Sequence, residues 1–198
     1  MSKFLDSLKK RRSIYGLGRN TDLSNEEIET IIKDAVKNSP SAFNSQTSRV
    51  VFLFGEANQK LWEITEETLK PLTPAEFFPN TQAKLAGFAA GIGTALFFED
   101  TDVVANLQEQ FPLYADNFPD WSEQSTGIAA VNAWVALAEA NIGANLQHYN
   151  PVIDEKVAAE FDIPDSWNLR GQLVFGSIEA PAGEKDFMND ADRFKSFN

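Results

Sequence analysis

The chain contains no cysteine, so it has no disulfide framework, no thiolate nucleophile and no cysteine-ligated metal. It contains one histidine, which rules out a multi-histidine metal cage. Positive charge is scarce. Lys and Arg number 17 against 29 Asp and Glu, a formal net charge of −12 at pH 7. A surface that acidic repels phosphate backbones and anionic bilayers, so neither a nucleic acid nor a membrane is expected as partner. The first residues lack the apolar segment of a secretory signal, and no apolar run approaches the roughly 18 residues of a spanning helix. These absences predict a cytoplasmic protein. There is no P-loop, no HExxH and no GxSxG. Gly91-Ile92-Gly93 lacks the third glycine of a dinucleotide fingerprint and follows no clear strand. The acidic pairs Glu26-Glu27 and Glu66-Glu67 fall on helix exteriors, where they read as solubilising charge rather than glycosidase carboxylates.

What is present is ordinary for a globular domain: 198 residues, 43% hydrophobic and 23% charged. One domain over residues 1–198 is expected, with the tail after about residue 188 extended or wrapped around a partner. Phe4, Leu5 and Leu8 share one face of a short predicted helix over residues 2–12. Ser24 and Glu27 form a capping box ahead of the stripe Ile28, Ile31, Ile32, Ala35 and Val36. Residues 49–54, 94–98 and 172–178 read as strands, the first of them buried. Residues 57–69, 101–110 and 154–161 read as helices, with Leu61, Ile64 and Leu69 inward in the first. Pro71, Pro74 and Pro79 predict a long irregular connection. Residues 126–141 form a helix apolar on most of its circumference (Ile128, Val131, Trp134, Val135, Ala138), expected at the centre of the fold. Few strands among many helices predict an α+β fold, a small sheet covered by helices.

Four segments carry candidate chemistry. Lys9-Lys10-Arg11-Arg12-Ser13 is a run of cations in an acidic chain. Arg12 continues the Leu8 face and Arg11 flanks it. An inward guanidinium needs an anion, and a phosphate would answer through bidentate hydrogen bonds plus the Ser13 hydroxyl. The same run also reads as a solvated helix end that complements the helix dipole. Residues 39–46 (SPSAFNSQ) offer hydroxyls and amides to the edge of a flat heterocycle, or form an ordinary polar loop. Residues 141–151 (NIGANLQHYNP) hold the lone histidine, His148, which without a partner is weak evidence of acid–base catalysis. Lys185 is a second phosphate contact or a plain surface lysine.

In this order, the segments resemble the nitroreductase family of flavoproteins. The resemblance rests on Arg11 to Ile14 (RRSI), Pro40 to Val51 (PSAFNSQTSRVV), Gly93 to Asp100 (GTALFFED) and Ile142 to Pro151 (IGANLQHYNP). The last two look closest to the short, fatty-acid-repression-mutant-like branch. The resemblance implies a nitroreductase-like α+β fold in an intertwined homodimer, with FMN at the dimer interface. It implies NADH or NADPH as reductant and ping-pong, two-electron reduction of a small-molecule acceptor, nitroaromatic or quinone-like. By the same resemblance Arg11 and Ser13 match phosphate-side positions, and Arg12 a position near ring or phosphate. Ser41, Asn44 and Gln46 match the loop at the ring edge, commonly supplied by the partner subunit. Gln147, His148, Tyr149 and Asn150 match the segment along the ring near N5. Lys185 matches a C-terminal cation at the phosphate. No residue is expected as a catalytic nucleophile; Arg12 is expected to stabilise the reduced flavin. Phe43, Phe77, Phe78 and Tyr149 are candidates for the walls of the substrate slot. The alternative is a flavin-binding redox or lipid-response regulator with little turnover. A binding protein for another phosphorylated ligand is a further rival.

Overall fold

The structure, a computed structural model, describes residues 2–197; Met1 and Asn198, the two ends of the predicted domain, lie outside the described residues. The chain runs α1 (Lys3–Lys10), β1 (Leu17–Gly18), α2 (Asn25–Lys37), β2 (Ser48–Phe54), α3 (Gly55–Leu69) and α4 (Phe78–Ala89). It continues through β3 (Gly93–Asp100), α5 (Thr101–Gln110), α6 (Phe118–Glu139), β4 (Gly143–Gln147), α7 (Asp154–Phe161), β5 (Trp167–Ile178) and α8 (Asp190–Arg193). Short 3₁₀ turns cover Ala42–Asn44 and Pro112–Asn117.

The five strands form one antiparallel sheet in the order β1-β5-β3-β2, with β4 also paired to β5. Alternation along the strands divides the core in two. Ala95, Phe97, Leu173 and Phe175 face α2 and α6, where they meet Ile28, Ile32, Ala133 and Leu137. Leu96, Phe98, Leu169 and Val174 face the other way, toward Leu61, Trp62, Leu85, Phe88 and Val157. This is the expected α+β arrangement, with the sheet covered on both faces. The bulge between Phe97 and Phe98 pairs them with Gly171 and Leu169, leaving Arg170 without a register partner. A bulge re-aims the extra side chain, and here Arg170 turns to Glu99.

Several expectations need correction. The stretch after Pro71 is not irregular throughout. Pro79 stands in the first turn of α4, where a helix has no use for the missing N–H. β2 is an edge strand, and of its residues Leu53 alone is fully buried. α6 begins two turns earlier than expected, and only one of its faces is buried. Ser122, Ser125, Thr126, Ala129, Ala130, Ala133 and Leu137 are buried, while Ile128 and Val131 are each 38% exposed. The face of α1 is likewise uncovered within the chain: it buries no residue, and Phe4 is 60% exposed. After β5 the tail is exposed almost throughout, the single turn of α8 included; Ala182 alone is half-buried.

Candidate functional site

Arg11 caps α1, Arg12 follows it, and Ser13 then pairs with Ala144 of β4. The Ile14 N–H donates to the Ala144 carbonyl at 2.9 Å, fixing the cations to the start of that strand. Arg12 Nη2 donates to the Gly183 carbonyl at 2.7 Å, which brings the segment after β5 alongside. The result is a cavity of about 490 Å³ lined by Arg11, Arg12, Ser13, Gly183 and Lys185 among others, with three cations and no carboxylate. The Arg11 guanidinium lies 4.4 Å from the centre of the Trp134 ring. Partial burial, and then repulsion from Arg12, pull the Arg11 pKa down. Among the described residues no carboxylate lies within ion-pair distance of Arg11 or Arg12. Two guanidiniums crowded together without a counter-ion are costly, and an anion placed between them removes that cost. The cavity therefore fits a phosphate, with Ser13 as neutral donor.

The opposite end of β4 carries Gln147 to Asn150. A buried chain of amides joins the two ends. Asn145 Nδ2 donates to the Ile14 carbonyl at 2.8 Å, and Gln147 Nε2 donates to Asn145 Oδ1 at 2.8 Å. Gln172 of β5, itself fully buried, accepts from the Tyr149 N–H at 2.8 Å and donates to Asn150 Oδ1 at 3.2 Å. Asn145 and Gln172 were not singled out from the sequence. Their signal is a polar amide inside an otherwise apolar strand pattern, which demands a buried partner. Tyr149 turns to the far face of the sheet and meets Trp62 edge-on at 5.9 Å; burial raises its phenol pKa. His148 is exposed and, with Asn150, Glu123, Thr126 and Arg170, lines a smaller cavity of about 190 Å³. Arg170 donates to Glu99 through Nε at 3.0 Å and also through Nη2. Nearby, burial pushes the Asp154 carboxyl up, opposed by the charge of Arg170.

Ser41, Asn44 and Gln46 lie elsewhere in the chain. Their loop borders two adjoining cavities of about 380 and 440 Å³, neither of which includes Arg11, Ser13, Lys185 or His148. One chain thus brings together Arg11, Arg12, Ser13 and Lys185, links them through β4 to Gln147 to Asn150, and holds the loop apart. The loop is strained: Phe43, Asn44 and Gln46 have φ of 57°, 50° and 49°. Left-handed backbone at residues bearing a Cβ clusters at functional sites. The Phe43 ring packs against Phe111, Tyr114, Phe118 and Trp121, at centroid distances from 4.9 to 6.1 Å. Phe43 and Trp121 line the 380 Å³ cavity beside the loop, whereas Phe77, Phe78 and Tyr149 line neither of the two.

Comparison with known proteins identifies the family. The nitroreductase family model matches residues 8–177. The HBN1 protein of Saccharomyces cerevisiae is 36% identical over 197 residues, covering 98% of each chain. The nitroreductase FRM2 of the same yeast is 32% identical over 189 residues, covering 94% of each. The nitroreductase CinD of Lactococcus lactis, solved with chloramphenicol, is 60% identical and superposes with a TM-score of 0.91 over 99% of this chain and 100% of its own. CinD has also been solved with 4-nitrophenol. A family match across most of the chain, full-length relatives and one shared fold lead to one conclusion: the chain belongs to the nitroreductase family, in the branch of FRM2, and is an oxidoreductase of that type.

Proposed function

We propose that this protein is an FMN-dependent NAD(P)H oxidoreductase, acting as a homodimer, that passes electron pairs to nitroaromatic or quinone-like acceptors. The observation that carries this reading is the acid-free cavity of Arg11, Arg12, Ser13 and Lys185 in a chain of net charge −12. From Gly143 to Gln147, β4 spans about 14 Å at the usual strand rise. That length suits a ligand with an anionic tail at the arginines and a flat head near His148 and Asn150. The 4-nitrophenol held by CinD favours a nitroaromatic acceptor.

FMN, when bound, would supply the hydride-transfer chemistry between NADH or NADPH and the acceptor. The chain supplies position and field. Arg11, Ser13 and Lys185 hold the phosphate. Arg12, fixed by the Gly183 carbonyl, adds a positive field that favours negative charge on the reduced ring. Gln147, anchored through Asn145, and Asn150, anchored through Gln172, fix the segment along the ring. Tyr149, whose side chain faces away, lends backbone only. The loop with Ser41, Asn44 and Gln46 serves the second site of the dimer, since within one chain it stands apart from the phosphate cavity.

The test begins with colour. Purified protein supplied with FMN should turn yellow, bleach with NADH or NADPH under argon, and recover its colour on addition of a nitroaromatic or quinone. Steady reductant consumption completes the case. Bound flavin without turnover would identify a redox-responsive regulator instead, and protein that takes up no FMN would end the reading.

A further inference from the structure

The loop from Pro40 to Gln46 hangs between two fixed points. Upstream, Asn132 Nδ2 donates to Ser39 Oγ at 2.8 Å. Downstream, Ser122 Oγ donates to Thr47 Oγ1 at 2.9 Å, and the Asp100 N–H donates to the Thr47 carbonyl at 2.9 Å. Between them lie the three left-handed residues, a conformation that persists only where surroundings over-determine it. The aromatic cage around Phe43 is one such determinant. The other is Arg49 of β2. Its Nη1 donates to the Gln46 carbonyl at 2.7 Å and to the Ser48 carbonyl at 3.2 Å. Its Nη2 meets Asp100 Oδ2 at 2.9 Å, and the guanidinium lies 5.9 Å from the centre of the Trp167 ring. The other Asp100 oxygen accepts from the Asp102 N–H and so caps α5, directly beyond whose far end Phe111 enters the cage around Phe43.

We infer that Arg49 is the positioning residue of the flavin-edge loop: aimed by Asp100, it grips the Gln46 carbonyl and locks the left-handed turn that presents Ser41, Asn44 and Gln46. One carboxylate thereby sets both anchors, the guanidinium directly and the aromatic cage through α5. Lysine cannot substitute fully, because a single ammonium lacks the planar fork that reaches carbonyl and carboxylate at once. The functional half of this inference rests on the FMN reading; the mechanical half does not.

The experiment compares wild type, Arg49→Ala and Arg49→Lys by hydrogen exchange of residues 41–47, FMN titration and apoprotein melting. In Arg49→Ala the loop amides are expected to exchange about tenfold faster or more, and the FMN Kd to rise about tenfold or more. The apoprotein midpoint should stay within about 3 °C of wild type, and Arg49→Lys should fall between on the first two measures. Unchanged loop exchange overturns the inference. So does faster exchange with an FMN affinity within about threefold of wild type, or a Kd rise matched by general unfolding. If Arg49→Ala does not fold, Asp100→Asn, which releases the guanidinium without removing it, is judged by the same criteria. If wild type takes up no FMN, the flavin reading has failed separately, and loop exchange in the apoprotein alone upholds or overturns the anchor.

Discussion

Arg11 packs against Trp134 on one side and meets the like charge of Arg12 on the other, with its pKa pulled down by both burial and repulsion. A phosphate in that cavity relieves the repulsion. Hydrogen bonds to charged groups contribute about 1.5–3 kcal/mol, so Arg11→Ala and Ser13→Ala should each weaken FMN binding roughly ten- to a hundredfold, read by flavin fluorescence titration. Unchanged affinity would remove the phosphate assignment. Arg12→Ala should make the flavin midpoint potential more negative; a tenfold loss of preference for the reduced form corresponds to about 30 mV for a two-electron couple. Asp154 tests the electrostatics beside Arg170. Its folded pKa is raised, by burial first, so folding takes up a proton as pH falls through that value. Its contribution is therefore favourable at low pH and lost as pH rises. Asp154→Asn should melt slightly higher than wild type at pH 7, with the gap closing toward pH 4 in a thermal denaturation series. At this scale the cations were legible from composition, because four in a row stand out in an acidic chain. The supporting amides Asn145 and Gln172 were not, because an isolated polar residue in a strand reveals its partner only when the sheet is assembled.

Helix α2 shows where local pattern suffices. Its capping box forms as the spacing predicts: Ser24 Oγ accepts from the Glu27 N–H at 3.2 Å, and the Ser24 N–H donates to Glu27 Oε2 at 2.8 Å. Ser24→Ala should cost about 1 kcal/mol, a fall of roughly 2–4 °C in the melting midpoint. The Ser24 contacts also hold the Glu27 carboxyl below its usual range. This part of the stabilisation is present above the ordinary glutamate pKa and fades as pH falls through the depressed value. Helices α4 and α6 show where pattern fails. Pro79 signals a break anywhere but in a first turn, and whether it stands in a first turn depends on where the helix begins. α6 is apolar nearly all round, so periodicity cannot say which face is buried. Most of its Ser, Thr and Ala residues, with Leu137, are buried, and Ile128 and Val131 are left exposed.

Uncovered apolar surface is the feature of the whole molecule that most needs a partner. Ile128 and Val131 on α6, Phe4 and Leu5 on α1, and Phe187, Met188, Phe194 and Phe197 in the tail all lie open in the single chain. Patches of this kind mark interfaces, and the proposed homodimer covers them with a second copy. Wild type should then sediment at twice the 22.0 kDa chain mass, and Val131→Glu should shift it toward the single-chain value. A wild-type protein at 22.0 kDa would refute the dimer. The sequence by itself determined the α+β class, the capped helix, the central strands β3 and β5, and the family, because these depend on short-range periodicity and on contiguous motifs. Only the tertiary structure decided which face α6 buries, that Arg170 leaves the register at a bulge, and that Lys185 reaches the arginines while the Ser41 loop does not. Those outcomes are set by packing distances between segments far apart in the chain, and no local pattern encodes them.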